Sequence, residues 1–173
     1  MQKEEKNPGF DEAALLKAKS DALRLLSFSA RSSAELRLRL KLKKYPDALV
    51  DEVIASFKRQ GLVDDVKFAK LFAESRIYSR PTGKRQLETD LKRKGLSEAL
   101  IRQTVSHLTD YDEKAIVRGL VQKKLAAMKG VSKEKMKMRL YGFLKRRGFE
   151  SDTIFSVMNE AFSGMPKEGP CED

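Results

Sequence analysis

Few residues in this chain have types and spacings that could do chemistry, and most of that chemistry fails for want of partners. Asp64 and Asp65 form the sharpest acidic pair, and adjacent carboxylates can bind a metal ion or share a proton. The same kind of pair recurs as Asp11-Glu12 and Asp112-Glu113, each time ahead of a helical apolar pattern. Carboxylates at a helix start accept from orphan backbone N–H groups and interact favourably with the macrodipole, so the three pairs read as helix starts. His107 is the only histidine and Cys171 the only cysteine, which removes zinc sites of the usual composition and a Cys-His dyad within one chain. No G-x-x-x-x-G-K-[ST] loop, G-x-G-x-x-G turn or G-x-S-x-G elbow is present. The expectation is a protein without catalytic, cofactor-binding or metal-ligating residues, and so not an enzyme.

What remains is positive charge. The net charge is +11 with a pI near 9.7, which points to an anionic partner. The excess is concentrated: residues 32–45 carry +4, residues 84–95 carry +3 and residues 132–148 carry +6, leaving −2 for all the rest. A generally solvated surface gives no reason for that confinement, because like charges gathered on equivalent segments repel one another. The candidate binding residues are Arg37, Arg39, Lys41, Lys43 and Lys44; then Lys84, Arg85, Lys92, Arg93 and Lys94; then Lys137, Arg139, Lys145, Arg146 and Arg147. Phosphate groups of nucleic acid and acidic patches on a protein both suit such faces, and the sequence leaves the two open.

The basic clusters sit in one stretch that occurs three times. Leu36, Leu40 and Tyr45 share a spacing of four and five with Leu87, Leu91 and Leu96 and with Leu140, Leu144 and Phe149, at offsets of 51 and 53 residues. Such a period marks tandem units that stack and bury one another's apolar faces. In the second and third copies a glycine, Gly95 or Gly148, follows the basic residues and predicts a left-handed helix stop. Tyr45, Leu96 and Phe149 are expected to pack these turns rather than to stack on bases.

One segment argues against this scheme. Leu36 to Lys43 reads LRLRLKLK, and its period of two taken alone favours a strand. A helix is nevertheless expected, because Ser32 and Glu35 have capping-box spacing and the other two copies are helical in pattern. Leu38 and Leu42 then lie nearly opposite Leu36 and Leu40, so both sides of the helix should touch neighbours.

The remaining segments complete three triplets. The first helix starts at Asp11 and carries Leu15, Leu16, Ala22, Leu23 and Leu26; Asp47 caps a third with Leu49, Val50, Val53, Ile54 and Phe57, stopped at Gly61. A fourth runs from Asp64-Asp65 to about Ser79, a sixth follows Ser97, and a seventh runs from Asp112 to about Lys129 before Gly130. Ser132 caps the eighth, and a ninth begins at Ser151 or Asp152. With few glycines, no tryptophan and 35% charged residues, the class is all-α: three tandem three-helix repeats, about nine helices, as an elongated or curved array. The expected boundaries are 11–62, 63–110 and 111–163, with a disordered 1–10 and a flexible 164–173. No apolar run reaches the roughly 20 residues of a membrane span, and a lone cysteine fits a reducing cytoplasm.

Four pieces, in order, resemble one known family: Arg31-Ser32-Ser33-x-Glu35-Leu36; Gly61-Leu62-Val63-Asp64-Asp65-x-x-Phe68-Ala69; Gly83-x-x-x-Leu87-x-x-x-Leu91-x-x-Lys94-Gly95-Leu96; and Leu140-Tyr141-x-Phe143-Leu144-x-Arg146-Arg147-Gly148-Phe149. They are similar to the RecX regulatory proteins of bacteria over about residues 15–162. Tyr45-Pro46 departs from the pattern, where the family usually has glycine and an apolar residue. The resemblance implies a cytoplasmic, non-enzymatic modulator of the RecA recombinase that lies in the groove of the RecA filament on single-stranded DNA and restrains its ATPase, strand-exchange and coprotease activities; the chain is expected to be a monomer. A direct nucleic-acid-binding tandem module, on single- or double-stranded DNA, is the alternative, since a capped helix, tight turn and second helix also describe helix-turn-helix proteins. A plain scaffold with an incidentally basic surface is a third class.

Overall fold

A computed structural model describes residues 11–108 and 111–163. The expectations for 1–10 and 164–173, and Cys171 with them, lie outside the described residues. Among those described there are nine helices and no strand: α1 Glu12–Phe28, α2 Ser33–Leu42, α3 Asp47–Arg59, α4 Asp65–Ser79, α5 Lys84–Arg93, α6 Glu98–Ser106, α7 Glu113–Ala126, α8 Lys133–Arg146 and α9 Ser151–Ser163. The alternating stretch Leu36–Leu42 is helical, as its cap and its sister copies require.

Two compact units are present, one of residues up to Phe72 with Leu91–Ile101, the other of Ala73–Asp90 with the described residues from Arg102 on. Helices α4, α5 and α6 contribute to both. In the first unit Ala18 and Ala22 of α1, Leu36 and Leu40 of α2, and Leu49, Val50, Val53, Ile54 and Phe57 of α3 form one core. The two alanines are fully buried, and their small side chains admit the larger residues of α2 and α3 close to the α1 backbone. In the second unit Val117 and Val121 of α7, Leu140 and Leu144 of α8, Phe149, and Ile154, Val157, Met158 and Phe162 of α9 do the same. Each large apolar side chain so buried contributes about 1.5–3 kcal/mol relative to exposure.

One expectation about α2 fails. Leu38 and Leu42 are 58% and 67% exposed, because α2 buries one face against α1 and α3 and, among the described residues, leaves the side that carries these two leucines uncovered. Two boundaries also shift, at α3 and α7, and one expected cap, at α8, holds its position without its bond. The cap of α3 is Pro46, not Asp47, which is the first helical residue and pairs with Lys41 instead. Ser132 stands at the cap of α8 without making a side-chain bond there. Helix α7 ends at Ala126, short of Lys129, because the chain turns through Met128 before Gly130 takes its positive φ of 75°.

The basic helices all end in the same turn. The carbonyl of Leu40 accepts from Lys43 and Tyr45, that of Leu91 from Lys94 and Leu96, and that of Leu144 from Arg147 and Phe149. This is the Schellman arrangement, which needs a left-handed residue before the last donor. Gly95 and Gly148 supply it with φ of 74° and 77°, and Lys44, at φ 64°, holds the glycine's place in the first copy.

Candidate nucleic-acid interface

The turns that end two of the basic helices are also docking points. In the first unit the Ser32 hydroxyl accepts from the Glu35 N–H and donates to the Lys94 carbonyl at 2.5 Å. The Glu35 carboxylate, expected to close a capping box, instead accepts from Lys94 Nζ at 2.7 Å. In the second unit the Thr82 hydroxyl and the Gly83 N–H both donate to the carbonyl of Arg147, the residue equivalent to Lys94. Each of these carbonyls precedes a left-handed glycine, so the start of one basic helix seats on the end of the next.

The acidic pairs serve the same frame. Asp64 accepts from the Val66 and Lys67 N–H groups at the start of α4, and Asp112 accepts from Ala115 at the start of α7. Asp65 turns away from its own helix to take the Ser33 N–H and hydroxyl at 2.7 and 2.6 Å and Lys58 Nζ at 3.0 Å. Burial raises its pKa, but the donors from Ser33 and Lys58 together outweigh that and hold it below the ordinary aspartate value. Among the described residues no group of three or more His, Cys, Asp or Glu could hold a metal ion.

The structure divides the candidate cations into those already neutralised and those facing solvent without an acid. On α2, Arg37 pairs with Asp51, Lys41 with Asp47 at 2.9 Å, and Lys43 just after it with Asp21 at 3.0 Å. Arg39 and Lys44 are exposed. Around α5, Arg85 pairs with Glu150 and Lys92 with Glu98, while Lys94 is held between Glu35 and the Phe72 ring. Lys84 lies over the Tyr111 ring at 5.9 Å, and Arg93, although exposed, is itself engaged by a neighbouring group. Lys94 is therefore part of the frame rather than of a free face.

Helix α8 differs. Lys137 lies over the Phe162 ring at 5.5 Å, Lys145 donates to the Ser151 hydroxyl at 2.8 Å, and Arg139 and Arg146 are exposed. Arg147 stacks on Phe143 at 4.6 Å and donates to the Pro81 carbonyl at 2.9 Å. Burial, and then the like charge of Arg80, lower its pKa, although a guanidinium remains protonated at neutral pH. None of these residues has a carboxylate within ion-pair distance among the described residues. Sequence reasoning missed Lys135, which is exposed one helical turn before Arg139 and was legible as the i−4 neighbour of a candidate. It also missed Arg80, whose place beside Arg147 depends on the fold.

A surface of uncompensated arginine and lysine binds anions, and arginine in particular matches the oxygens of phosphate or carboxylate in a bidentate manner. Among the described residues no helix is long and apolar enough to cross a membrane.

Comparison with known proteins places the frame. Residues 18–57 match the model of the first three-helix domain of RecX, residues 64–105 that of the second, and residues 110–158 that of the third. The regulatory protein RecX of Thermobifida fusca is 33% identical over 144 residues, covering 83% of this chain and 78% of that protein. That of Chlorobium phaeobacteroides is 36% identical over 141 residues, covering 82% and 91%. The crystal structure of RecX from Lactobacillus salivarius superposes with a TM-score of 0.75 at 19% identity, over 86% of this chain and 96% of that one. With its three domains matched in order, and relatives of this identity across most of their length, the chain belongs to the RecX family of regulatory proteins.

Proposed function

We propose that this chain is a non-catalytic regulator of the RecA recombinase that binds the RecA filament on single-stranded DNA and restrains its ATPase, strand-exchange and coprotease activities. Family membership supports the partner, and the observation that carries the binding mode is the row of acid-free cations on α8. Three repeats, at 11–62, 63–110 and 111–163, each present one basic helix to a partner that is itself a charged helical polymer, and the chain acts as a cytoplasmic monomer. The third repeat dominates, because the first two have most of their candidate cations engaged in ion pairs, and an engaged cation has less to gain from an external anion.

The test is cosedimentation with RecA filaments and with naked single-stranded DNA at matched salt, together with RecA ATPase activity. The proposal expects binding to filaments, a fall in ATPase rate, and loss of both effects in Arg139→Ala with Arg146→Ala. A chain that binds naked DNA but leaves filament ATPase unchanged would support the direct nucleic-acid-binding alternative instead.

A further inference from the structure

The acid-free face of α8 contains a glycine that the fold does not use. Gly142 lies in the middle of the helix, where glycine weakens helix stability relative to alanine. Two other glycines of this unit have a packing reason: a Cβ on Gly83 would collide with the Gly148 carbonyl, and one on Gly148 with Gln86. A Cβ on Gly142 would meet only the tip of Arg146, at 3.2 Å, and that side chain is flexible enough to give way. Neither a positive φ nor a neighbouring backbone requires this glycine.

Its surroundings supply a reason. Lys135, Arg139, Gly142 and Arg146 follow the i, i+4, i+7, i+11 pattern, which places them within an arc of about 60° and along about 16 Å of helix. The three cations are exposed. Glycine thus leaves a half-buried stretch of helix surface without a Cβ, against which the Arg146 guanidinium lies. Resting on the reading of α8 as the binding face, we infer that Gly142 is the seat of a nucleic-acid phosphodiester held by Arg139 and Arg146. A carboxylate on a protein partner comes at the tip of a slender side chain and reaches a guanidinium without a bare helix surface. A phosphodiester carries a sugar on each side, so its approach to both arginines needs the room that a missing Cβ leaves. Acidic protein is therefore the less suited occupant.

Gly119 on α7 provides an internal control. It too is a mid-helix glycine, but exposed, with nothing within 4 Å of a built Cβ. Its neighbours Lys114 and Arg118 are already paired with Glu160.

The experiment measures binding of a fluorescein-labelled oligo(dT) by anisotropy across a salt series, with melting curves, for Gly142→Ala, Gly142→Gln, Gly119→Ala and Arg146→Ala. The expected result is that both alanine-for-glycine variants melt at or above the parent temperature. Only Gly142→Ala weakens DNA binding, on the order of tenfold with a shallower salt slope, and Gly142→Gln weakens it further. If Gly142→Ala binds like the parent while Arg146→Ala is weakened, the seat is wrong and the binding face stands. If neither is weakened, the reading of α8 falls and the seat with it. A Gly142→Ala protein that loses affinity for RecA filaments but not for oligo(dT) would assign the patch to an acidic protein surface, and one that melts lower would show that the fold needs the glycine.

Discussion

Gly148 lies so close to Gln86 that a Cβ built on the glycine would stand 2.5 Å from the Gln86 backbone nitrogen, and its φ of 77° disfavours a side chain in any case. Two penalties therefore meet at one residue. Gly61 has only the second of them, with φ 69° and nothing within 4 Å. Gly61→Ala should cost about 1 kcal/mol, while Gly148→Ala should cost about 3 kcal/mol or more, because backbone in the seat of the new methyl cannot rotate away. Chemical denaturation of the two variants checks the difference, and equal losses would mean that the close approach carries no energy. Lys44 fits the same logic. It occupies the equivalent left-handed position but is exposed, so it bears only the conformational cost and a side chain is tolerated.

Asp65 caps a helix that is not its own. Its bonds to the Ser33 N–H and hydroxyl are made at the first turn of α2, where backbone donors lack intrahelical partners. Asp65→Ala should cost about 2 kcal/mol, within the range for hydrogen bonds to a charged group. Because the folded-state pKa is lowered, this contribution is present above the ordinary aspartate pKa and declines as the pH falls below it. The variant and parent should converge in melting temperature under acid. Divergence that persists unchanged at low pH would assign the effect to packing.

Glu160 on α9 offers a second acid-sensitive contact. Hydrogen bonds from Lys114 and then Arg118, both on α7, draw its pKa from 4.5 to about 2 against the opposing effect of burial. The folded value lies below the unfolded one, so the stabilisation is complete above about pH 4.5 and is lost as the pH falls toward 2. Carboxyl NMR shifts should show Glu160 titrating near the lower value. Glu160→Gln should remove the part of the melting-temperature decline that falls in this interval, and salt should shrink the effect because the group is exposed.

The frame was more legible than the surface. Leucines at a spacing of four followed by a glycine stop determine a helix and its turn locally, which is why the repeats and the left-handed Gly95 and Gly148 could be read from the sequence. The helical outcome at Leu36–Leu42 followed from comparison with the sister copies, against the local alternation. Exposure of Leu38 and Leu42 could not be read, because a pattern apolar on two faces does not say that only one has a neighbour. Nor could the pairing of the cations: Lys94 meets Glu35 and Arg85 meets Glu150 across 59 and 65 residues. The sequence shows where positive charge is concentrated; folding decides which of it stays available.

That distinction gives the sharpest functional prediction. Arg37→Ala with Lys43→Ala and Arg139→Ala with Arg146→Ala remove the same formal charge. If attraction to DNA depended on net charge alone, the two double variants would bind single strands equally weakly. Arg37 and Lys43 are, however, already paired with Asp51 and Asp21, so removing them frees two carboxylates and costs about 0–1 kcal/mol of stability per pair. Arg139 and Arg146 face solvent without an acid, and each phosphate they neutralise releases condensed counterion. Their removal should shallow the plot of log K against log salt by about 1.4, at about 0.7 per contact on single strands, with stability changed by less than about 0.5 kcal/mol per exposed site. The α2 variant should keep the parental slope, although freed carboxylates could lower its affinity at low salt through long-range repulsion. Slope rather than affinity therefore separates the two helices. If the α2 variant loses as much slope as the α8 variant, the ion pairs do not withhold those cations from DNA, and the assignment of binding to the third basic helix fails.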